Sequence, residues 1–474
     1  MRIPDLNSLY DAGSRLLLES TVRVGVTGLR RAGKTVFVTA LVDNLLKAGR
    51  LPFLDVMSSG RFQAARLRPQ PDPDVPRFDF EGHLAALTGP DTHWPEPTRG
   101  IGQMRVSLRY RPDSALKRTV QPMATLNLDL VDYPGEWLLD LPLLRQSFVE
   151  WSAQTLDLAA RPPRDELSAS WRGWLATIDP AASAEEETAR RGAALYTDYL
   201  HACRRADTLL SLIQPGRFVE PGDMKDAPLL TFCPLHGTQR GRGSLWALME
   251  DRYEAYKTNV VRRFFAEHFS RLDRQIVLID VLGALNAGPA GMADMKRALE
   301  LSLEPFRHGS SGWLDWLFGS KIDRVLFAAT KADHIHQSSH DRLEAVLNRL
   351  VANAARRAKF AGAETRSLAI AALRATREGT IEEGGETLDV IVGTPEDGEV
   401  LDGTTYDGKT EIALFPGDLP ENPDSLLEDG NRVHLNFLRF NPPAKLKKNA
   451  EGAAVLPHIR LDGALEFLLG DRLR

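Results

Sequence analysis

Apolar positions along the chain switch between short continuous runs and spaced stripes, and the switch recurs. Val22 to Thr27 (VRVGVT) is a strand-like run entering a Gly-rich turn, and VFVTALVDNLLKAG then carries helical spacing that stops near Gly49. MRVSLRY and ATLNLDLVD alternate apolar and polar residues across the turn-rich stretch RPDSALKRTVQP, which predicts two antiparallel strands, the second ending on Asp132. Further buried-strand candidates are RQIVLIDVLG, DRVLFAAT and SLAIAAL, interleaved with the helical segments ADMKRALELSLEPF and DRLEAVLNRLVANAARRA. Strands alternating with helices predict an α/β fold: a mostly parallel sheet covered on both faces, in three α/β/α layers.

The remaining stretches divide this pattern. An N-terminal helix is expected before Val22. Residues 51–102, rich in Pro, Gly and charge (RPQPDPDVPRFDFEG, HWPEPTRG), read as an inserted loop region with little regular structure. The predicted organisation is an N-terminal part of the α/β domain over 1–137, a helical insertion over 138–272, the C-terminal part of that domain over 273–378, and a β-rich insertion with a C-terminal helix (ALEFLLGDRL) over 379–474. No self-similar period points to a repeat array.

Composition narrows the function classes. The chain has 474 residues, 43% of them apolar and 26% charged, which suits folded domains with a substantial core. Its 59 Lys+Arg against 64 Asp+Glu leave a net charge of -5, so no overall basic field directs it to nucleic acid, and no nucleic-acid partner is expected. Two cysteines, Cys203 and Cys233, are too few for a disulfide framework and fit a reducing, cytoplasmic setting. The N-terminus lacks the apolar run of a signal peptide, and no segment has the apolar length to span a bilayer.

The chemistry begins at Gly28-Leu29-Arg30-Arg31-Ala32-Gly33-Lys34-Thr35, which matches G-x-x-x-x-G-K-[ST] between a strand and a helix. Such a loop lets backbone amides from Gly28 through Val36, including those of Arg31, Ala32 and Gly33, approach phosphate oxygens at a helix N-terminus. Lys34 reaches the β and γ phosphates, and Thr35 ligates Mg²⁺. Asp132-Tyr133-Pro134-Gly135-Glu136 ends a strand with an acid suited to Mg²⁺ and places the Gly135 amide three residues on, where it can sense a γ-phosphate. Asp280-Val281-Leu282-Gly283 offers a competing D-x-x-G, with Asp280 as structural support on the next parallel strand. Thr330-Lys331-Ala332-Asp333 follows another strand; a carboxylate there accepts both N1–H and N2–H₂ of guanine while the Lys331 stem covers the base. The strand SLAIAAL is expected to bring backbone amides at its end, Ala371, Ala372 or Leu373, near guanine O6.

In this order the motifs resemble those of the Ras-like P-loop GTPases, and TGLRRAGKT, DYPGEW, FAATKADH, RATRE and FPGDLP resemble the bacterial YcjX family across nearly the whole chain. The resemblance implies a Ras-like domain with large insertions, GTP/GDP and Mg²⁺ as ligands, GTP hydrolysis, and a cytoplasmic, stress-associated switch. Carried over by motif, Glu136 stands where many Ras-like enzymes keep a water-orienting Gln, so turnover is expected to be slow. Arg30 and Arg31 either stabilise transition-state charge or hold the loop's outer face. Thr98 is the candidate switch threonine on Mg²⁺, with Thr92 competing. The alternative to a switch is a nucleotide-dependent interaction scaffold with negligible hydrolysis; an ATP-using kinase or motor is disfavoured by Asp333.

Two further features carry expectations. His334, His336 and His340 (HIHQSSH) read as solvated loop histidines rather than a zinc site. Trp313 and Trp316 in GWLDWLFGSK form either a buried lid or, like the helical insertion, a docking surface for a protein or membrane-associated partner.

Overall fold

The computed structural model describes residues 19–29, 31–96, 100–205, 210–225, 227–237, 241–302, 322–383, 385–426, 435–448 and 452–474. The expected N-terminal helix, Arg30, Thr98, Trp313 and Trp316 lie outside them.

The described residues open with β1 (Glu19–Gly28), whose Val22, Val24 and Val26 point to one side of the sheet. After the phosphate-loop sequence comes α1 (Lys34–Leu46), which lays Phe37, Val38 and Leu41 against those valines. The stretch expected to be irregular instead contains β2 (Phe62–Arg68) and α2 (Phe80–Thr88), capped by Asp79 through the Gly82 amide at 3.1 Å. β2 is an edge strand, half-exposed and charge-rich, which is why its apolar alternation is weak in sequence. The hairpin β3 (Gly102–Tyr110) and β4 (Ala124–Asp132) is antiparallel, as the alternation predicted.

Between β4 and the next sheet strand the chain is helical. A 3₁₀ run over Gly135–Arg145 leads to α3 (Phe148–Ala159), which opens with a Ser147–Glu150 capping box. The long α4 (Glu186–Cys203) and α5 (Leu245–Tyr256) follow. Their interior is aromatic: Trp151 stacks on Tyr253 with centroids 5.0 Å apart, and Trp171 on Tyr199 at 5.6 Å. This interior is continuous with the core on one face of the sheet, so the helical segment has no separate core of its own.

β5 (Arg274–Ile279) is followed by α6 (Val281–Asn286) and α7 (Gly288–Ser302), β6 (Arg324–Ala329) by α8 (His340–Phe360), and β7 (Glu364–Ala369) closes the order β2-β3-β4-β1-β5-β6-β7. Only β3 opposes the others, giving a mostly parallel seven-stranded sheet. Within β5 and β6 the period of two sends Ile276, Leu278 and Leu326 to the α1 side and Val277, Ile279 and Phe327 to the α8 side, so these strands are apolar on both faces. β8 (Arg377–Glu383) and β9 (Glu386–Gly393) pair with the short strand Ile412–Leu414 in a small antiparallel sheet. The chain ends in α9 (Leu461–Leu469), packed beside α1 on the same sheet face. Below the sheet, fully buried Arg274 ties Asp323 (3.0 Å) to Asp471 (2.6 Å) of the C-terminal tail.

Candidate functional site

The site lies where parallel strands deliver their C-terminal ends, the usual location for ligands in open α/β sheets. β1 runs into the loop and α1 starts at Lys34. Arg31 (φ 64°) and Gly33 (φ 76°) are both left-handed, a backbone curl that turns amides toward one concave side. Arg31 bears the strain of a side chain there, whereas Gly33 has none to strain. The first intrahelical bond of α1 is Phe37 N–H to Gly33 carbonyl at 2.8 Å. Gly33 gives the helix no side-chain cap and its first turn holds no acid, so the positive end of a thirteen-residue helix faces the loop. The Ala32 N–H already donates to the Leu29 carbonyl at 3.1 Å. Lys34 Nζ lies 3.4 Å from the Gly28 carbonyl, folded back over the loop, and Thr35 is buried at the helix start.

β4 brings the acidic motif to the same place. Asp132 pairs in register with Val26 of β1 and is 1% exposed. Gly135 then presses on the loop itself: a Cβ there would lie 2.4 Å from Gly28 O and 3.1 Å from Leu29 N, so only glycine permits this approach. Asp280, on the other flank of β1, is engaged otherwise. Its Oδ1 caps α6 through the Gly283 amide at 3.0 Å, and its Oδ2 pairs with Lys331 Nζ at 2.5 Å. Thr35 and Asp132 are hard oxygen donors of the kind Mg²⁺ takes together with phosphate and water. Among the described residues no group of three or more His, Cys, Asp or Glu forms a metal cluster. Thr92 lines a groove beside Arg50 and Arg374.

Glu136 is held by the helical segment. Its carboxylate is buried and lies 3.4 Å from Arg204 at the end of α4, where Arg204 also binds Glu220 at 2.5 Å. The whole run Gly135–Leu144 is buried under the helical segment. Both Asp140 oxygens accept from Gly216 N–H (2.9 and 3.0 Å) and one accepts from Tyr256 O–H (2.5 Å), while the Arg217 guanidinium sits 3.4 Å over the Trp137 ring. Burial outweighs these bonds and pushes the Asp140 carboxyl up to about 7.

At the end of β6, Lys331 is left-handed (φ 60°) and Asp333 is buried. Asp333 Oδ2 accepts from Ala375 N–H at 2.7 Å and Thr376 N–H at 3.3 Å, while among the described residues no hydrogen bond reaches Oδ1. The amides facing Asp333 are therefore those of Ala375 and Thr376. The Ala371 amide donates to Ile459 carbonyl at 3.1 Å, and Ala372 and Leu373 lie between. Sequence position missed these donors because β7 ends at Ala369 and the Ile459 bridge, more than eighty residues away, takes the first turn of the loop. The RATRE stretch, which contains both, was the signal available.

The histidines are less solvated than expected. His340 is buried with Nε2 2.9 Å from the Ala332 carbonyl, His334 meets Phe440 edge-on at 5.3 Å, and His336 pairs with Asp389. The three thus face separate partners. Burial holds the His334 and His340 rings below the usual histidine value. Phe440 also accepts from Trp94 Nε1 at 2.9 Å, and neighbouring Arg439 binds Glu399 at 2.5 Å. Burial, then Arg439, lowers the Arg31 guanidinium pKa, with Glu396 and Glu399 acting oppositely.

The YcjX-like family (DUF463) matches residues 22–473. Two relatives, both described as "Ras-like GTPase YcjX", are similar over nearly their whole lengths: one from Escherichia coli is 38% identical, covering 99% of each chain, and one from Shewanella oneidensis is 37% identical, covering 95% of this chain and 94% of the relative. With the match running from the first core strand through the C-terminal helix, the chain belongs to the YcjX-like family.

Proposed function

We propose that the protein binds GTP and GDP with Mg²⁺ in a Ras-like P-loop domain and hydrolyses GTP slowly, as a cytoplasmic, stress-associated switch. The observation that carries the reading is the convergence of Gly33–Thr35, Gly135 and Asp333 on the ends of β1, β4 and β6. The names of the two relatives support the guanine nucleotide. In this reading the amides of Gly33 to Val36 and the side chain of Lys34 hold the phosphates, the Lys34 ammonium leaving its place over Gly28. Thr35 and Asp132 would hold Mg²⁺, with Thr98 as a further donor; the ion supplies charge stabilisation on the phosphates. Asp333 Oδ1 accepts from the guanine edge, the Lys331 stem covers the ring, and the amides near O6 come from Ala371 to Leu373 or from Ala375 and Thr376. Arg30 and Arg31 are the candidate cations for developing charge.

Residues 138–272 serve as the helical insertion and 379–474 as the β-rich insertion on a domain formed by 1–137 and 273–378. Among the described residues no helix is long and apolar enough to cross a membrane. A second reading, a nucleotide-dependent scaffold with negligible hydrolysis, is favoured by the burial of Glu136 against Arg204. The test is to identify the nucleotide retained after purification and then measure single-turnover hydrolysis with wild type and Glu136→Ala. Retained GDP, GTP preferred over ATP, and a Mg²⁺-dependent rate that falls in Glu136→Ala support the switch. A background rate in both proteins supports the scaffold, and equal affinity for GTP and ATP overturns the guanine assignment.

A further inference from the structure

A groove of about 1290 Å³ opens between the loop after α1, the loop following β7, the small sheet and the stretch 441–462. Neither the phosphate loop, Asp132, Lys331 nor Asp333 lines it; it adjoins the nucleotide site and shares only the Ala375–Thr376 loop with it. Its volume exceeds the usual 300–1,000 Å³ of small-molecule pockets.

The charge in this groove runs against that of the chain. The protein carries -5 overall, yet seven Arg and Lys side chains line the groove against three carboxylates. Each carboxylate is already engaged: Glu378 with Arg374 at 3.4 Å, Glu411 with Arg377 at 2.9 Å, and Asp462 with the Phe53 amide at 2.9 Å. Arg50, Lys409, Lys445 and Lys447 are exposed, and among the described residues none of them has a carboxylate partner. Beside them stand Phe53, 71% exposed, and the apolar Val392, Pro442 and Pro443. Strongly hydrated lysine ammoniums around an apolar floor suit carboxylates spaced among apolar side chains. Of the four arginines, Arg374, Arg377 and Arg460 are paired with Glu378, Glu411 and Glu344, which leaves three lysines and Arg50 to meet a ligand; a phosphate backbone would call for free fork-shaped arginines and several stacking rings, whereas among the described residues the groove's aromatic rings are those of Phe53 and His458.

We propose that this groove is a docking site for an acidic, extended segment of a partner protein. Electrostatic attraction steers the segment to this cationic hollow on a chain whose net charge is -5, and the apolar floor around Phe53 retains it. One wall of the groove is the Arg374–Arg377 loop whose Ala375 and Thr376 amides hold Asp333, so the occupant lies one loop away from that carboxylate.

The test uses the nucleotide-free full chain and a short fluorescein-labelled peptide rich in glutamate and leucine, read by anisotropy. Binding should weaken as salt is raised, and K445E/K447E should weaken it by roughly tenfold, since reversing two exposed charges at an interface alters affinity on that scale. Phe53→Ala should weaken it without changing its salt dependence. Because these side chains are exposed, both variants should melt as wild type does, and their GTP affinity should be unaltered; that separates failure here from failure of the nucleotide assignment. Absent binding, equal binding by K445E/K447E, or equal binding of a peptide with lysine in place of glutamate overturns the proposal. Tighter binding of a single-stranded oligonucleotide or of anionic lipid vesicles overturns the choice of an acidic peptide.

Discussion

Replacing Gly135 by alanine tests whether the acidic motif and the phosphate loop are as closely packed as the structure has them. The added methyl would lie 2.4 Å from Gly28 O, 2.7 Å from Gly28 C and 3.1 Å from Leu29 N. Carbon–oxygen contacts are comfortable near 3.3–3.6 Å, so the two backbones must part by about 1 Å. All three obstructing atoms are backbone, so no side chain can swing aside. Overpacking of this kind costs about 1–3 kcal/mol, visible as a lowered melting temperature. The displaced atoms open the phosphate loop, and a misplacement of about 1 Å at a reacting site can lower activity by up to about a hundredfold. The assay pairs thermal melting with titration of a fluorescent GTP analogue and single-turnover hydrolysis. Gly173→Ala is the control, because nothing lies within 4 Å of a Cβ at that helical position, where alanine should be neutral or stabilising. Gly135→Ala should melt lower, bind GTP more weakly and hydrolyse it more slowly than this control. If the two variants melt, bind and turn over alike, the close approach is wrong.

Three other perturbations report on separate contacts. Asp333→Asn should weaken GTP binding by about 1.5–3 kcal/mol, roughly ten- to hundredfold, through loss of a charged acceptor, and should narrow the preference for GTP over ATP; competition titrations measure both. Asp140, raised from 3.8 to about 7 by burial, stabilises the fold through its protonated form. Its folded-state pKa exceeds its unfolded one, so the contribution is complete below about pH 4 and is lost as pH rises through 7. Asp140→Asn should therefore flatten the stability profile between those values in urea melts, whereas an unchanged slope contradicts the burial argument. Arg204→Ala leaves Glu136 and Glu220 facing each other without their cation and should cost about 3 kcal/mol, measured by chemical denaturation.

What the sequence revealed, and what it concealed, follows from the range of the interactions involved. The loop at Gly28–Thr35, the β3–β4 hairpin and the apolar strands β5 and β6 were legible because each is specified locally, by turn chemistry or by periods of two and 3.6. β2 was missed because an edge strand keeps half its side chains in water, so FQAARLR carries little alternation between its Pro-rich flanks. The histidines were read as solvated because their burial depends on Phe440 and α8, which local spacing does not report. The amides of Ala375 and Thr376 escaped for a similar reason: their direction is set by the pairing of Ala371 with Ile459. The Glu136–Arg204 pair joins residues 68 positions apart, and no motif encodes it.

The central place of β1 bears on how the protein is made. Its flanking strands are β4, about a hundred residues later, and β5, so that Arg23 meets Asp273 across 250 positions. As the chain leaves the ribosome, the phosphate loop emerges early but stays on a half-paired strand until most of the helical segment has been synthesised. The buried Arg274 beneath it then waits for Asp471, a further 197 positions along. Closing such distant pairs is slow, so a nascent chain stalled before β5 should expose the apolar side of β1 and be a substrate for chaperones rather than a nucleotide binder.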